Sequence, residues 1–322
     1  MKILITGVAG FIGSHLAEYY LSTGNEVYGI DNFDDFYPLA IKLKNIQPLK
    51  ANSNFHFFEI DITEYNQFSR LEGETFDLII HLAAKAGVRP SIEAPQKYLK
   101  TNVTGTLNIL EYMRSAKCNK LVFASSSSVY GNCKVIPFAE NTLTDEPISP
   151  YAFSKKSCEL LNYNYHHLYN LDILNLRFFT VYGPRQRPDL AIHKFMRKIM
   201  NGEPIEMYGD GLSARDYTFI DDTINGIVKA GTYVLNNTGV YDTINLGNSS
   251  PVQLSDLINA IEKVTNRKAE VIIKEMQEGD VDITYADISK AKEVIDYDPQ
   301  TKLEAGLKKF YDWYVMNNAV TA

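Results

Sequence analysis

The sequence predicts an α/β protein: a doubly wound parallel sheet followed by a second, smaller C-terminal lobe. Three observations carry that prediction. Short apolar β-prone runs recur along the first half of the chain, helical stretches of crossover length lie between them, and the rhythm changes after Gly183-Pro184. A chain of 322 residues with 45% hydrophobic content can bury a large core, and its length suits one large domain or one domain with an added lobe.

In order, the β runs are Ile3 to Thr6, Glu26 to Ile30, Phe55 to Ile60, Asp77 to Ala83, Lys120 to Ser125 and Asp172 to Phe179. Helices are expected at Ile12 to Thr23, Val103 to Ala116 and Tyr151 to Tyr169, lengths that fit right-handed crossovers between parallel strands. Beyond Gly183 the elements shorten: strands at Ile205 to Tyr208 and Val271 to Lys274, and a helix at Leu303 to Met316. Asp216 to Ala230 is a segment able to return to the first domain, which leaves the boundary soft. No internal repeat or low-complexity stretch occurs.

Composition excludes several classes. The formal net charge is -7 and the Lys and Arg residues are scattered, so the basic stripe of a nucleic-acid binder is missing. Cys118, Cys133 and Cys158 are odd in number and lack metal-ligand spacing, so neither a disulfide framework nor a metal site is expected. No signal segment and no window approaching 18 apolar residues is found, so a soluble, cytoplasmic protein without membrane contact is expected.

The first run leads directly into Gly7-Val8-Ala9-Gly10-Phe11-Ile12-Gly13 and then a helix. Glycines in that context let the backbone turn sharply and approach a pyrophosphate at the helix N-terminus. Asp31 closes the second run, 18 residues after Gly13, where a carboxylate accepts hydrogen bonds from ribose hydroxyls and repels a 2′-phosphate. No Arg follows it closely, so NAD is expected rather than NADP. Asp61, at the end of the third run, is a candidate for the adenine side, with an equally ordinary reading as a helix cap. Asn32 and Ile62, the neighbours of these two carboxylates, join the candidate cofactor set.

Tyr151 and Lys155 stand at i and i+4 near a helix start and share one face. The run Ser125-Ser126-Ser127-Ser128-Val129-Tyr130-Gly131 ends the fifth strand, where such sheets place ligands. A lysine charge and a nicotinamide charge beside a phenol would lower its pKa from about 10 toward neutrality and make it a general base.

With the glycine turn, the Tyr-x-x-x-Lys pair and a serine 25 residues before the tyrosine, the chain resembles the extended short-chain dehydrogenase/reductases, which have a Rossmann fold, over nearly its whole length. The resemblance implies that Tyr151 is the catalytic base, Lys155 its partner and Ser126 the catalytic hydroxyl. It also implies cofactor contacts at Leu82, Ala83, Ala84, Lys85 and Asn102. Residues 1–180, with a return segment near 216–246, would form the NAD-binding domain, and residues 181–322 a lobe for a UDP-sugar. Dimers of relatives pair through the helices matching Val103 to Ala116 and Tyr151 to Tyr169, so a homodimer is expected.

Departures from the relatives' patterns narrow the chemistry. The 4,6-dehydratases of this group carry an Asp-Glu pair where Ser127 and Ser128 stand here, so elimination lacks its acid and base. Decarboxylases of UDP-glucuronate place Glu at Ser128 and Asn at Thr180, and UDP-galactose 4-epimerases also show Asn at the latter. The segments around Ser125 to Gly131, Arg177 to Pro184 and Gly279-Asp280-Val281 resemble UDP-glucuronate 4-epimerases. Hydroxyls of Ser127, Ser128 and Thr180 would then hold the sugar carboxylate out of alignment with a C4 ketone, which otherwise loses CO2. The bland reading of the serines is that they satisfy local backbone groups. Arg89, Arg187 and Arg215 are expected around the phosphates or the sugar, and Asp280 at the uridine ribose, each also readable as a solvated charge. UDP-glucose 4-epimerisation is the nearest rival, decarboxylation the next, and a non-catalytic nucleotide-sugar sensor a rival of another class.

Overall fold

A computed structural model describes residues 1–275 and 281–318. Among these residues the strands are β1 (Lys2–Thr6), β2 (Glu26–Asp31), β3 (Phe55–Glu59), β4 (Leu78–His81), β5 (Lys120–Ser126), β6 (Asp172–Phe178), β7 (Thr180–Tyr182), β8 (Ile205–Tyr208), β9 (Ala214–Phe219), β10 (Tyr241–Leu246), β11 (Pro251–Gln253) and β12 (Val271–Lys274). The helices are α1 (Phe11–Ser22), α2 (Leu39–Lys50), α3 (Val88–Glu93), α4 (Pro95–Tyr98), α5 (Gly105–Ala116), α6 (Pro150–Tyr169), α7 (Ala191–Asn201), α8 (Ile220–Asn236), α9 (Leu254–Thr265), α10 (Ser289–Ile295) and α11 (Leu303–Asn318). None is long and apolar enough to cross a membrane.

Seven strands form one sheet in the order β10-β6-β5-β4-β1-β2-β3, and every neighbouring pair is parallel. The six runs expected from the sequence all lie in it, and β10 adds a seventh strand at its edge. Alternation within each strand feeds two cores, as a sheet covered on both faces requires. Ile3, Ile5, Ile80, Val122 and Leu174 join the core packed with α1 and α8, whereas Leu4, Ile79, Leu121, Phe123 and Ile173 join the one packed with α5 and α6.

The order of strands reverses direction between β1 and β4. Chain leaving β1 moves toward β2 and β3, and chain entering at β4 moves toward β5 and β6, so a crevice opens at the carboxyl ends of the strands. β4 is shorter than the expected run. The N–H groups of Leu82 and Ala83 leave the ladder and donate to Thr6 Oγ1 at 3.1 and 2.9 Å. Smaller sheets, β11-β9-β7 and β12-β8, flank the same end.

Candidate active site

The crevice contains a cavity of about 490 Å³. Its floor begins at the β1–α1 turn. Gly7 adopts a φ of 71°, and a Cβ there would stand 2.9 Å from Ala83 Cα; a Cβ on Gly13 would stand 2.2 Å from Gly7 O. Only glycine allows this turn to lie so close to the β4 loop. No side chain caps α1 and its first turn carries no acidic residue, so its leading N–H groups are available to an anion.

Asp31 Oδ2 accepts from Ala9 N at 3.0 Å and Oδ1 from Phe33 N at 2.9 Å, which ties the glycine turn to the loop after β2. Burial raises its pKa, against the pull of those N–H groups and the Lys42 charge. Each carboxylate oxygen keeps a second acceptor direction, as a ribose diol requires. The loop itself is pinned from two sides. Lys85 Nζ donates to both Asp34 carboxylate oxygens at 2.8 Å, and Lys42 Nζ donates to Asp34 O while standing 4.7 Å from the Tyr37 ring centre.

Asn32 and Ile62 line the cavity, but Asp61 does not: it accepts from Asn32 Nδ2 at 3.0 Å and from Thr63 N at 2.8 Å. It closes a local turn after β3 and caps no helix, since the 3-10 turn Tyr65–Leu71 begins after Glu64 without a side-chain cap. Asn102 likewise stands behind the lining, holding Lys85 N and O at 2.8 and 3.0 Å and donating to Ser154 Oγ at 2.8 Å. It joins the β4 loop to α6.

Ser126, Ser127, Ser128, Tyr151, Lys155, Thr180 and Arg187 also line the cavity, with Arg187 4.8 Å from the Phe36 ring centre. Ser149 caps α6 by accepting from Ala152 N at 3.1 Å, which sets Tyr151 in the first turn. Burial raises the Tyr151 pKa, while a hydrogen bond from Ser126 and the Arg187 charge pull it back. The sequence assigned that pull to Lys155. In the fold Lys155 Nζ donates to Ala124 O at 2.7 Å and lies over the Phe123 ring, and burial lowers its pKa to about 8. The Arg187 charge acts on the phenol as well, and Asp189 accepts from its Nε and Nη2 at 3.0 and 2.7 Å.

The bland reading of the serine run holds in part. Ser126 Oγ accepts from Ser128 N at 3.1 Å, and Ser125 Oγ donates to Glu159 Oε1 at 2.6 Å. Arg89 and Arg215 lie outside the cavity lining: the Arg89 guanidinium is 5.2 Å from the Tyr208 ring centre, and Arg215 Nη1 donates to Ala214 O at 3.0 Å on β9. Asp280 lies outside the described residues. Sequence reasoning passed over Asp34, Phe36, Tyr37, Lys42 and Leu190, which are also part of the lining. The aromatic pair Phe36 and Tyr37, following an acidic strand end, was the available signal.

A glycine-turned crevice at a strand-order reversal, with Ser126, Tyr151 and Lys155 around it, defines an extended short-chain dehydrogenase/reductase. The chain belongs to the family described as GDP-mannose 4,6 dehydratase, matching it over residues 4–310. It is 44% identical to a UDP-glucuronate 4-epimerase of Thermodesulfobacterium geofontis over 312 residues, 96% of this chain and 95% of that protein. Among solved structures it is similar to the UDP-glucuronic acid 4-epimerase of Bacillus cereus in complex with UDP-glucuronic acid and NAD, with a TM-score of 0.91, 38% identity and coverage of 98% of this chain and 100% of that one. The Thermotoga maritima UDP-glucose 4-epimerase superposes with a TM-score of 0.90 at 30% identity, over 99% of this chain and 100% of that one.

Proposed function

We propose that this protein is an NAD-dependent epimerase that inverts C4 of UDP-glucuronate to give UDP-galacturonate. The observation that carries the reading is the composition of the cavity lining. Tyr151 and Ser126 belong to it with the hydroxyl residues Ser127, Ser128 and Thr180 and the cation Arg187, while its two carboxylates are held by other groups, Asp31 by the Ala9 and Phe33 N–H groups and Asp34 by Lys85. Elimination of water needs an acid and a base beside the sugar. The lining supplies hydroxyls and a cation instead, a set suited to gripping a carboxylate.

The Gly7–Gly13 turn, the open N-terminus of α1 and Asp31 suit the pyrophosphate and ribose of NAD, which supplies the hydride acceptor and donor for C4. Tyr151, hydrogen-bonded by Ser126, takes the C4 hydroxyl proton and returns it after the ketone has turned its other face. Ser127, Ser128, Thr180 and Arg187 hold the C6 carboxylate so that the C5–C6 bond stays out of line with the ketone, which retains CO2. Residues 1–180 with the segment near 216–246 serve as the NAD-binding domain and residues 181–322 as the UDP-sugar lobe, with Arg89 and Arg215 approaching the nucleotide from its edges.

The protein works as a homodimer paired through α5 and α6, in the cytoplasm. Its three cysteines are free thiols, which suits a reducing compartment. The test is incubation with UDP-glucuronate and, separately, with UDP-glucose, without added reductant, following the anomeric signals by NMR. Conversion of the acid to UDP-galacturonate is expected. Turnover of UDP-glucose alone, or release of CO2 with a pentose as the main product, would overturn the assignment.

A further inference from the structure

Three consecutive residues at the end of β5 meet three consecutive turns of α6. Tyr151, Lys155 and Glu159 are each four apart and share one face of that helix. The Ser126 side chain lies by Tyr151 and lowers its pKa, Lys155 Nζ donates to Ala124 O at 2.7 Å, and Glu159 Oε1 accepts from Ser125 Oγ at 2.6 Å. The first two contacts belong to the site already described. Nothing in the chemistry so far uses the third.

Glu159 is 3% exposed, and a carboxylate so buried is costly unless paired. Its partner is Arg177 on β6, 4% exposed, which closes a two-pronged pair with Nε–Oε1 and Nη2–Oε2 both at 2.9 Å. The parallel register of β5 and β6 sets Arg177 directly beside Ser125. The same guanidinium lies 4.8 Å from the centre of the Tyr130 ring, and the Tyr130 hydroxyl donates to Asn245 Oδ1 at 2.7 Å. Tyr130 ends the short turn Ser127–Tyr130. One buried ion pair therefore fixes the serine segment before Ser126 and after Ser128. Glu159, Arg177 and Tyr130 are all absent from the cavity lining.

We propose that the Arg177–Glu159 pair is a positioning device that sets where Ser126, Ser127 and Ser128 stand relative to Tyr151, and so governs how the 4-keto intermediate divides between epimer and decarboxylated product. This rests on the 4-epimerase reading above. A pair that only stabilised the sheet would be replaceable at a cost in stability alone. A directional, two-pronged pair that also receives a hydroxyl specifies the geometry of the strand end. When the serines shift, the sugar carboxylate turns toward alignment with the ketone. The C5–C6 electrons then pass into the C4 enolate, CO2 leaves and C5 takes up a proton.

The test uses two variants of the full-length protein. Ser125→Ala removes the hydroxyl contact and leaves the ion pair; Glu159→Gln keeps an acceptor for Ser125 but breaks the charge pairing. Both are assayed with UDP-glucuronate for UDP-galacturonate and for UDP-linked pentose, alongside Tm. The expected result is a rise of about tenfold or more in the pentose share, with kcat lowered by a similar factor and KM within about twofold, as for a misplaced catalytic wall. A folded Ser125→Ala protein with the parent's product ratio and kcat overturns the proposal. So does a Glu159→Gln protein that loses Tm but keeps the ratio. A parent that leaves UDP-glucuronate unchanged overturns the 4-epimerase reading itself, which separates that failure from a failure of the positioning role.

Discussion

In the proposed function, Thr180 is the residue on which the choice of product turns. It lines the cavity at the start of β7, as Ser127, Ser128 and Arg187 also do. Replacing it with Ala removes one hydroxyl from the carboxylate grip, so Thr180→Ala should release 4-keto pentose beside UDP-galacturonate, measured by NMR of the product mixture. An unchanged product profile would remove Thr180 from that grip. His81 carries a second prediction. It lies fully buried between Thr6 Oγ1 and Thr106 Oγ1, and burial, with the Lys155 charge behind it, lowers its pKa to about 3. The unfolded imidazole titrates near 6.5, so between those values only the unfolded chain takes the proton. Stability therefore falls as pH drops from 6.5 toward 3, by several kcal/mol at about 1.4 kcal/mol per pH unit. His15, lowered to about 4 by burial and Arg185, adds to the same slope. His81→Asn should flatten Tm against pH between 7 and 4 whatever its Tm at neutrality; curves parallel to the parent's would contradict this. At this scale the sequence made Tyr151, Lys155 and Ser126 legible because their signal is local spacing. It did not reveal that Arg187 lines the same cavity as Tyr151, because the loop after β7 and the start of α6 meet only in the folded chain.

Elements were legible where hydrophobic runs were unbroken. The strands from β1 to β6 are short apolar stretches bounded by turn residues, and each begins or ends close to its expected limit. Helix α2 escaped notice because it carries Pro48 and a weak apolar face, burying only Lys42, Asn45, Ile46 and Leu49. That helix nevertheless delivers Lys42 to the cofactor end and Asn45 Nδ2 to Ala9 O at 3.0 Å, so the glycine turn is braced by an element its own motif does not announce. The turn gives a test at this scale. A Cβ on Gly13 would meet Gly7 O at 2.2 Å, so Gly13→Ala must open the β1–α1 connection. NAD affinity, measured by titration calorimetry, should drop about tenfold or more, since each tenfold needs only about 1.4 kcal/mol. Gly24→Ala is the contrast: its φ is 79° but a Cβ there meets nothing within 4 Å. It should cost about 1 kcal/mol of stability from the left-handed backbone and leave NAD binding intact. Equal loss of binding in both variants would show that the effect is global destabilisation.

At the scale of the whole molecule, two outer helices remain partly uncovered. Along α6, Phe153, Leu160 and Tyr163 are 49%, 60% and 54% exposed, and Leu107 on α5 is 37% exposed. Phe153, Leu160 and Tyr163 follow helical spacing of seven and three, which gathers them on one stripe, opposite the face that carries Tyr151, Lys155 and Glu159 to the cavity. An apolar stripe of this kind marks an interaction surface, and pairing of two-helix faces across a twofold axis covers it on both copies at once. The arrangement has a functional corollary. The helix that would meet the second copy is the one that grips the end of β5, so dimerisation would stiffen the segment holding Ser126 to Ser128. Light scattering coupled to size exclusion should give twice the 36.4 kDa chain mass for the parent protein. Leu160→Asp should bring the mass to that of one chain while far-UV circular dichroism is retained, because the side chain is exposed in the single chain. A parent of 36.4 kDa, or a Leu160→Asp protein still at twice that mass, would remove α5 and α6 from the pairing surface.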